Sequence, residues 1–130
     1  MKSVEEIKLN LPLFVFVSKV RKKWLTLNSY RNWHYAVSNN CKKTFKSDIR
    51  HLLDFKLDGK VRIEYEYYPP DKRKRDLMNV ISVIDKFFQD ALVESGCIEA
   101  DDMSIVVEVN SKFIEIDRQN PRLEVTIIKI

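Results

Sequence analysis

Asp76, Asn79, Asp101 and Asp102 carry hard oxygen atoms of the kind that bind magnesium. Magnesium takes one or two carboxylates and fills its other positions with water and substrate phosphate. A metal held in this way activates water and polarises a phosphodiester. Asp76 and Asp101 lie 25 residues apart, so they can share a cation only if the intervening chain folds back to the same end. Otherwise they are solvated acidic residues flanking a helix.

Basic residues adjoin this set. Lys72, Arg73, Lys74 and Arg75 run directly into Asp76. Four cations beside a carboxylate can hold DNA phosphates next to a metal, or they can form a solvated loop. Upstream, Asn28 to Tyr35 interleaves aromatic residues with Arg31 and His34 at the expected start of a helix. Such a start can bind phosphate, and Trp33 or Tyr35 can stack on unpaired bases. The alternative places the aromatics in the core and makes His34 a hydrogen-bonded structural residue. Lys86 lies on the same helical face as Asn79, where a cation can stabilise charge developing on a phosphate.

These residues need elements to position them. Ile7 to Leu11 alternates apolar and polar residues as a strand does, and Pro12 interrupts it. From an N-cap at Asn28, the apolar positions Trp33, Val37, Cys41, Phe45, Ile49 and Leu52 or Leu53 form one helical stripe. Lys42, Lys46 and Arg50 repeat every four residues on another face, which adds Lys42 and Lys46 to the expected DNA contacts. Val61, Ile63, Tyr65 and Tyr67 mark a half-buried strand ended by Pro69-Pro70. Leu77 to Val93 predicts an amphipathic helix, with Gly96 just beyond its end. Its apolar residues span about 140° of arc, and Asn79, Lys86 and Asp90 fall within about 40° of one another opposite them. Ile105 to Val109 and Phe113 to Ile116 predict one bent strand or a bulged pair. Leu123, Val125 and Ile127 mark the last strand. The order β-α-β-α-β-β predicts an α/β (α+β) fold: a small mixed β-sheet covered by two α-helices. One domain spans residues 1–130.

Composition narrows the chemistry further. The two glycines, Gly59 and Gly96, form neither a P-loop nor a dinucleotide fingerprint, so no nucleotide cofactor is expected. Cys41 and Cys97 lack zinc-ligand spacing and read as buried thiols. No apolar run is long enough to span a membrane, and no signal-peptide cleavage pattern is present, so a cytoplasmic location is expected. Residues 1–60 hold 13 Lys and Arg against 5 Asp and Glu, whereas residues 61–130 hold 10 against 14. A basic half beside an acidic half suits a polyanion surface next to a cation site.

The motifs together resemble the RusA family of Holliday junction resolvases, small endonucleases common in bacteriophages and prophages. The resemblance runs through Arg75-Asp76-Leu77-x-Asn79, Lys86-x-x-x-Asp90-Ala91-Leu92, Gly96 and Asp101-Asp102, with Leu27-Asn28 and Arg31-Asn32-x-His34-Tyr35 upstream. It implies a homodimer that binds four-way DNA junctions and nicks two strands using Mg²⁺, with Mn²⁺ as a substitute. It implies that Asp76 and Asp102 ligate metal, that Lys86 assists the transition state, and that Asn79 and Asp101 support the site. The chain departs from the best-known members at Met78, where they carry a catalytic aspartate. Asn79 and Lys86 are also seven residues apart instead of three. Asp85, within the enlarged segment, is a candidate for the missing carboxylate. A branched-DNA-binding protein of this fold without catalysis is the alternative. The apolar segment Leu13 to Val17 is a candidate dimer interface.

Overall fold

The computed structural model describes all residues, Met1–Ile130. Its centre is a four-stranded sheet in the order β2-β8-β6-β7. These strands are β2 (Glu6–Leu11), β6 (Val61–Tyr68), β7 (Val106–Phe113) and β8 (Arg122–Lys129). β8 runs antiparallel to both β2 and β6, whereas β7 runs parallel to β6. Alternation explains the layering. Val61, Ile63, Tyr65 and Tyr67 of β6 and Leu123, Val125 and Ile127 of β8 all point into the core. The residues between them carry charge and form ion pairs on the other face, such as Lys8 with Glu124 at 2.9 Å and Arg122 with Glu124 at 2.7 Å. The helices therefore cover one side of the sheet only.

The long helix α3 (Leu77–Glu94) contributes eight buried residues, from Val80 to Leu92. It joins the end of β6 to the start of β7, as a parallel crossover requires. It ends at Gly96, whose φ of 78° is costly for any residue with a Cβ. The Gly96 and Cys97 N–H groups close the last turn on Val93 and Leu92.

The first helical region is not continuous. It divides into α1 (Leu27–Arg31) and α2 (Tyr35–Ile49), followed by a 3₁₀ turn at Arg50–Leu52. Thr26, not Asn28, caps α1 through its side chain, and His34 caps α2. The expected stripe survives within α2, where Cys41, Phe45 and Ile49 are buried.

Two small strand pairs lie outside the periodic pattern. β1 (Lys2–Ser3) pairs with β5 (Phe55–Lys56), and β3 (Phe14–Phe16) pairs with β4 (Lys22–Trp24). Within the expected interface segment Leu13 to Val17, Leu13 and Val15 are core residues, whereas Phe16 on the alternate face is 50% exposed. No helix is long and apolar enough to cross a membrane.

Candidate active site

The crossover decides where the acidic residues go. Asp76 immediately precedes α3, at the end where β6 finishes. α3 then runs back along the sheet for 18 residues, about 27 Å at 1.5 Å per residue. Asp101 and Asp102 follow it, just ahead of β7. The Asp102 carbonyl accepts from the Val106 N–H at 2.9 Å, and Ile105 in turn accepts from the Val61 N–H at the start of β6 at 2.8 Å. Asp76 and Asp102 of one chain therefore stand at opposite ends of the sheet. The loop does not fold back, and the expectation of one shared cation within a chain is not met. No three His, Cys, Asp or Glu side chains converge to hold a metal ion. One chain by itself does not fit a magnesium ion shared between these residues.

What does assemble is a polar cleft at the Asp76 end. Thr26, Asn28, Arg73, Lys74, Arg75, Asp76 and Asn79 line a cavity of about 490 Å³ that contains no hydrophobic residue. Asp76 occupies the N-cap position of α3 in extended geometry, yet its side chain makes no cap hydrogen bond. Its exposed carboxylate faces solvent beside Arg73 and Lys74. Asn79 plays a structural part, since its Oδ1 accepts the Asn28 N–H at 3.0 Å. That N–H belongs to the first turn of α1, where a helix has no internal acceptors. Asn79 thereby joins the two helix starts that frame the cleft.

The basic loop is partly preorganised. The Arg75 guanidinium donates to Asp71 Oδ1 at 2.6 Å and to the Arg73 carbonyl at 3.1 Å. The same Asp71 carboxylate accepts from the Arg73 N–H, and these bonds hold its pKa below the usual carboxylate value. Lys72, Arg73 and Lys74 stay exposed with no carboxylate partner. Met78, one turn into α3, is also exposed, at 55%. It is not among the residues that line the cleft.

The other candidates are dispersed. Lys86 is exposed and lies over the Tyr30 ring at 5.7 Å. It sits about 10 Å along the helix axis from Asn79. Asp85 requires a correction, because it points to the sheet and not to the cleft. Its Oδ1 accepts from the buried Tyr65 hydroxyl at 2.5 Å and from Gln89 at 2.9 Å. Burial first, and then the Asp85 charge, push the Tyr65 hydroxyl well above its ordinary pKa. Lys42 and Lys46 also require correction as free DNA contacts. Lys42 pairs with Asp90 at 2.8 Å and Lys46 pairs with Glu94, so both charges tie α2 to α3. His34 Nδ1 accepts the Ala36 N–H at 3.2 Å, which is a capping role, and Arg31 remains exposed in the last turn of α1.

Asp102 is locally ordered. The Ser104 hydroxyl and backbone N–H both donate to its Oδ1, and together they depress its pKa. Asp101 is exposed beside it. Thr26 joins the cleft without having been among the expected site residues. Its only signal in the sequence is a threonine two residues ahead of Asn28, which is an N-cap pattern.

Comparison with known families gives one result over this geometry. A family model described as endodeoxyribonuclease RusA matches residues 14–128. No curated protein matches the chain.

Proposed function

The chain belongs to the RusA family of endodeoxyribonucleases, and from that premise we propose that it resolves Holliday junctions by hydrolysing phosphodiester bonds. The observation that carries this reading is the cleft itself. An unengaged carboxylate, Asp76, lies beside Arg73 and Lys74 in a cavity lined by no hydrophobic residue. Lys72, Arg73 and Lys74 bind the phosphates flanking the cut. Such contacts position DNA without reading its sequence. Lys86 and Arg31 extend this basic surface along α3 and α1. Hydrolysis adds water to phosphorus as one backbone P–O bond breaks, and cations nearby offset the added negative charge.

Magnesium, with manganese as a substitute, is part of the proposal. It would supply Lewis-acid polarisation of the phosphate. Asp76 is the residue proposed to hold it at the cleft, with Asp102 and Asp101 as its counterparts. These stand at opposite ends of one chain, so the reading includes a homodimer. A cytoplasmic setting is also proposed, in keeping with two buried free thiols, Cys41 and Cys97.

A synthetic four-way junction incubated with Mg²⁺ tests this reading. Wild-type protein nicks two opposed strands, and Asp76→Asn abolishes the products while retaining the mobility shift. Equal nicking by the variant sinks the assignment.

Met78 supports a second reading, in which the fold binds branched DNA without cutting it. Its exposed side chain offers no oxygen where the resemblance calls for one. That reading expects binding without products in both Mg²⁺ and Mn²⁺, and a gain of cleavage in Met78→Asp.

A further inference from the structure

We propose that the β3–β4 hairpin is a second DNA contact, on which Trp24 and Phe16 stack against a nucleobase left unpaired at the branch of the substrate. The inference rests on the proposed nuclease reading for the identity of the substrate. It adds a physical cause for preferring branched DNA over linear duplex.

The sequence gives the hairpin two unlike faces. Side chains alternate along a strand. Leu13 and Val15 turn into the core, and Phe14 and Phe16 turn to the other face. Phe14 stands directly opposite Trp24, and Phe16 stands opposite Lys22. The outer face thus gathers three rings and one ammonium group. Phe16 is 50% exposed and Trp24 is 42% exposed. Rings left half in water forgo part of the stabilisation that burial gives. A contiguous patch of them marks a contact site.

The rings have room for another flat group. Phe14 meets Phe16 at 5.6 Å and Trp24 at 5.1 Å, and both contacts are edge to face, not stacked. The Lys22 ammonium lies 4.1 Å from the Phe14 centroid, 5.3 Å from that of Trp24 and 5.8 Å from that of Phe16.

Charge selects the occupant. Residues 14–24 hold four cations, Lys19, Arg21, Lys22 and Lys23, and no acid. A two-fold contact between copies through this face would set cations against cations. A nucleotide instead offers its base to the rings and its phosphate to the lysine. Every base has a π-face, so such a platform tolerates any sequence. Base faces are covered inside a duplex and open only where stacking is interrupted. The platform therefore serves the branch and not the arms.

Position ties the platform to the cleft. Trp24 lines a cavity of about 480 Å³ together with Thr26, Asp71, Arg73 and Arg75. Thr26, Arg73 and Arg75 also line the Asp76 cleft, so the two cavities share a wall. A strand whose base rests on Trp24 runs its phosphates past Arg73 toward Asp76.

Fluorescence anisotropy with three labelled probes tests this, in EDTA so that nothing is cut. The probes are oligothymidylate, a four-way junction and a linear duplex. Trp24→Ala is expected to weaken oligothymidylate binding by about 5- to 150-fold, the range for one lost base–aromatic stack, and duplex binding by less than about twofold. Junction affinity falls with that of oligothymidylate. Phe16→Ala, at the more exposed ring, moves the probes in the same order, and Trp24→Phe recovers most of the loss. Lys72→Ala, a phosphate contact, weakens all three alike. Equal weakening of all three by Trp24→Ala makes its effect structural and overturns the platform. Unchanged affinities in both alanine variants also overturn it, and a shift to smaller species in sedimentation equilibrium then assigns the rings to a contact between copies. A wild type that shows the expected Trp24 dependence but nicks no junction in Mg²⁺ upholds the platform and counts against the nuclease reading. A wild type that binds none of the probes overturns both.

Discussion

Asp85 separates a structural carboxylate from a metal ligand by measurement. Replacing it with alanine removes the acceptor of the hydroxyl of Tyr65, a residue 1% exposed, bonded at 2.5 Å. A buried donor left without a partner costs about 1–3 kcal/mol. Unfolding entropy near 2 cal/mol/K per residue makes each kcal/mol worth about 4 °C for a chain this long. Asp85→Ala is therefore expected to lower the melting temperature by about 4–12 °C. Removing both partners in Tyr65→Phe with Asp85→Ala recovers part of that loss, because no unpaired hydroxyl remains. Junction nicking below the melting transition should persist, since Asp85 lies about 14 Å along α3 from Asp76. The assays are thermal denaturation by circular dichroism and nicking of a labelled four-way junction. An unchanged melting temperature with nicking abolished would refute the reasoning and return Asp85 to the active site.

Two further outcomes follow from single contacts. Gly96→Ala meets no atom within 4 Å at its Cβ, so only the φ of 78° opposes it. That left-handed backbone costs about 1 kcal/mol, a drop of about 4 °C that leaves nicking untouched. The Asp102 carboxyl titrates below its ordinary value because Ser104 donates to it. A depressed folded pKa means that the ordered turn is fully present above the unfolded value and is lost as pH falls through the folded one. Ser104→Ala should raise the Asp102 pKa toward 3.8, and carbon-detected NMR titration of the side chain reads it directly. An unchanged titration in Ser104→Ala removes this contact as the cause.

Local pattern is enough for the elements that carry the site. The period-two alternation of Val61 to Tyr67 and the apolar arc of α3 follow from which side chains must leave water, and both occur where expected. The break at Asn32–His34 is hidden in the sequence because the apolar stripe continues across it. Only the Thr26 and His34 caps reveal two helices. The hairpin of β3 and β4 is hidden because its strands are three residues long, too short for a period to show. Residue type alone makes Asp76, Lys72 to Arg75 and Asp102 candidates for phosphate and metal chemistry. It cannot assign partners. Asp85, Lys42 and Lys46 are charged in any fold, and only packing reveals that Tyr65, Asp90 and Glu94 engage them.

The sequence by itself determined the fold class, the residues at the two ends of α3 and the family resemblance. These depend on periodicity and composition, which are local. Tertiary structure decided the distance between Asp76 and Asp102. A parallel β6–β7 pair forces α3 to run the full length of the sheet between them. A helix of 18 residues cannot bring its two ends together.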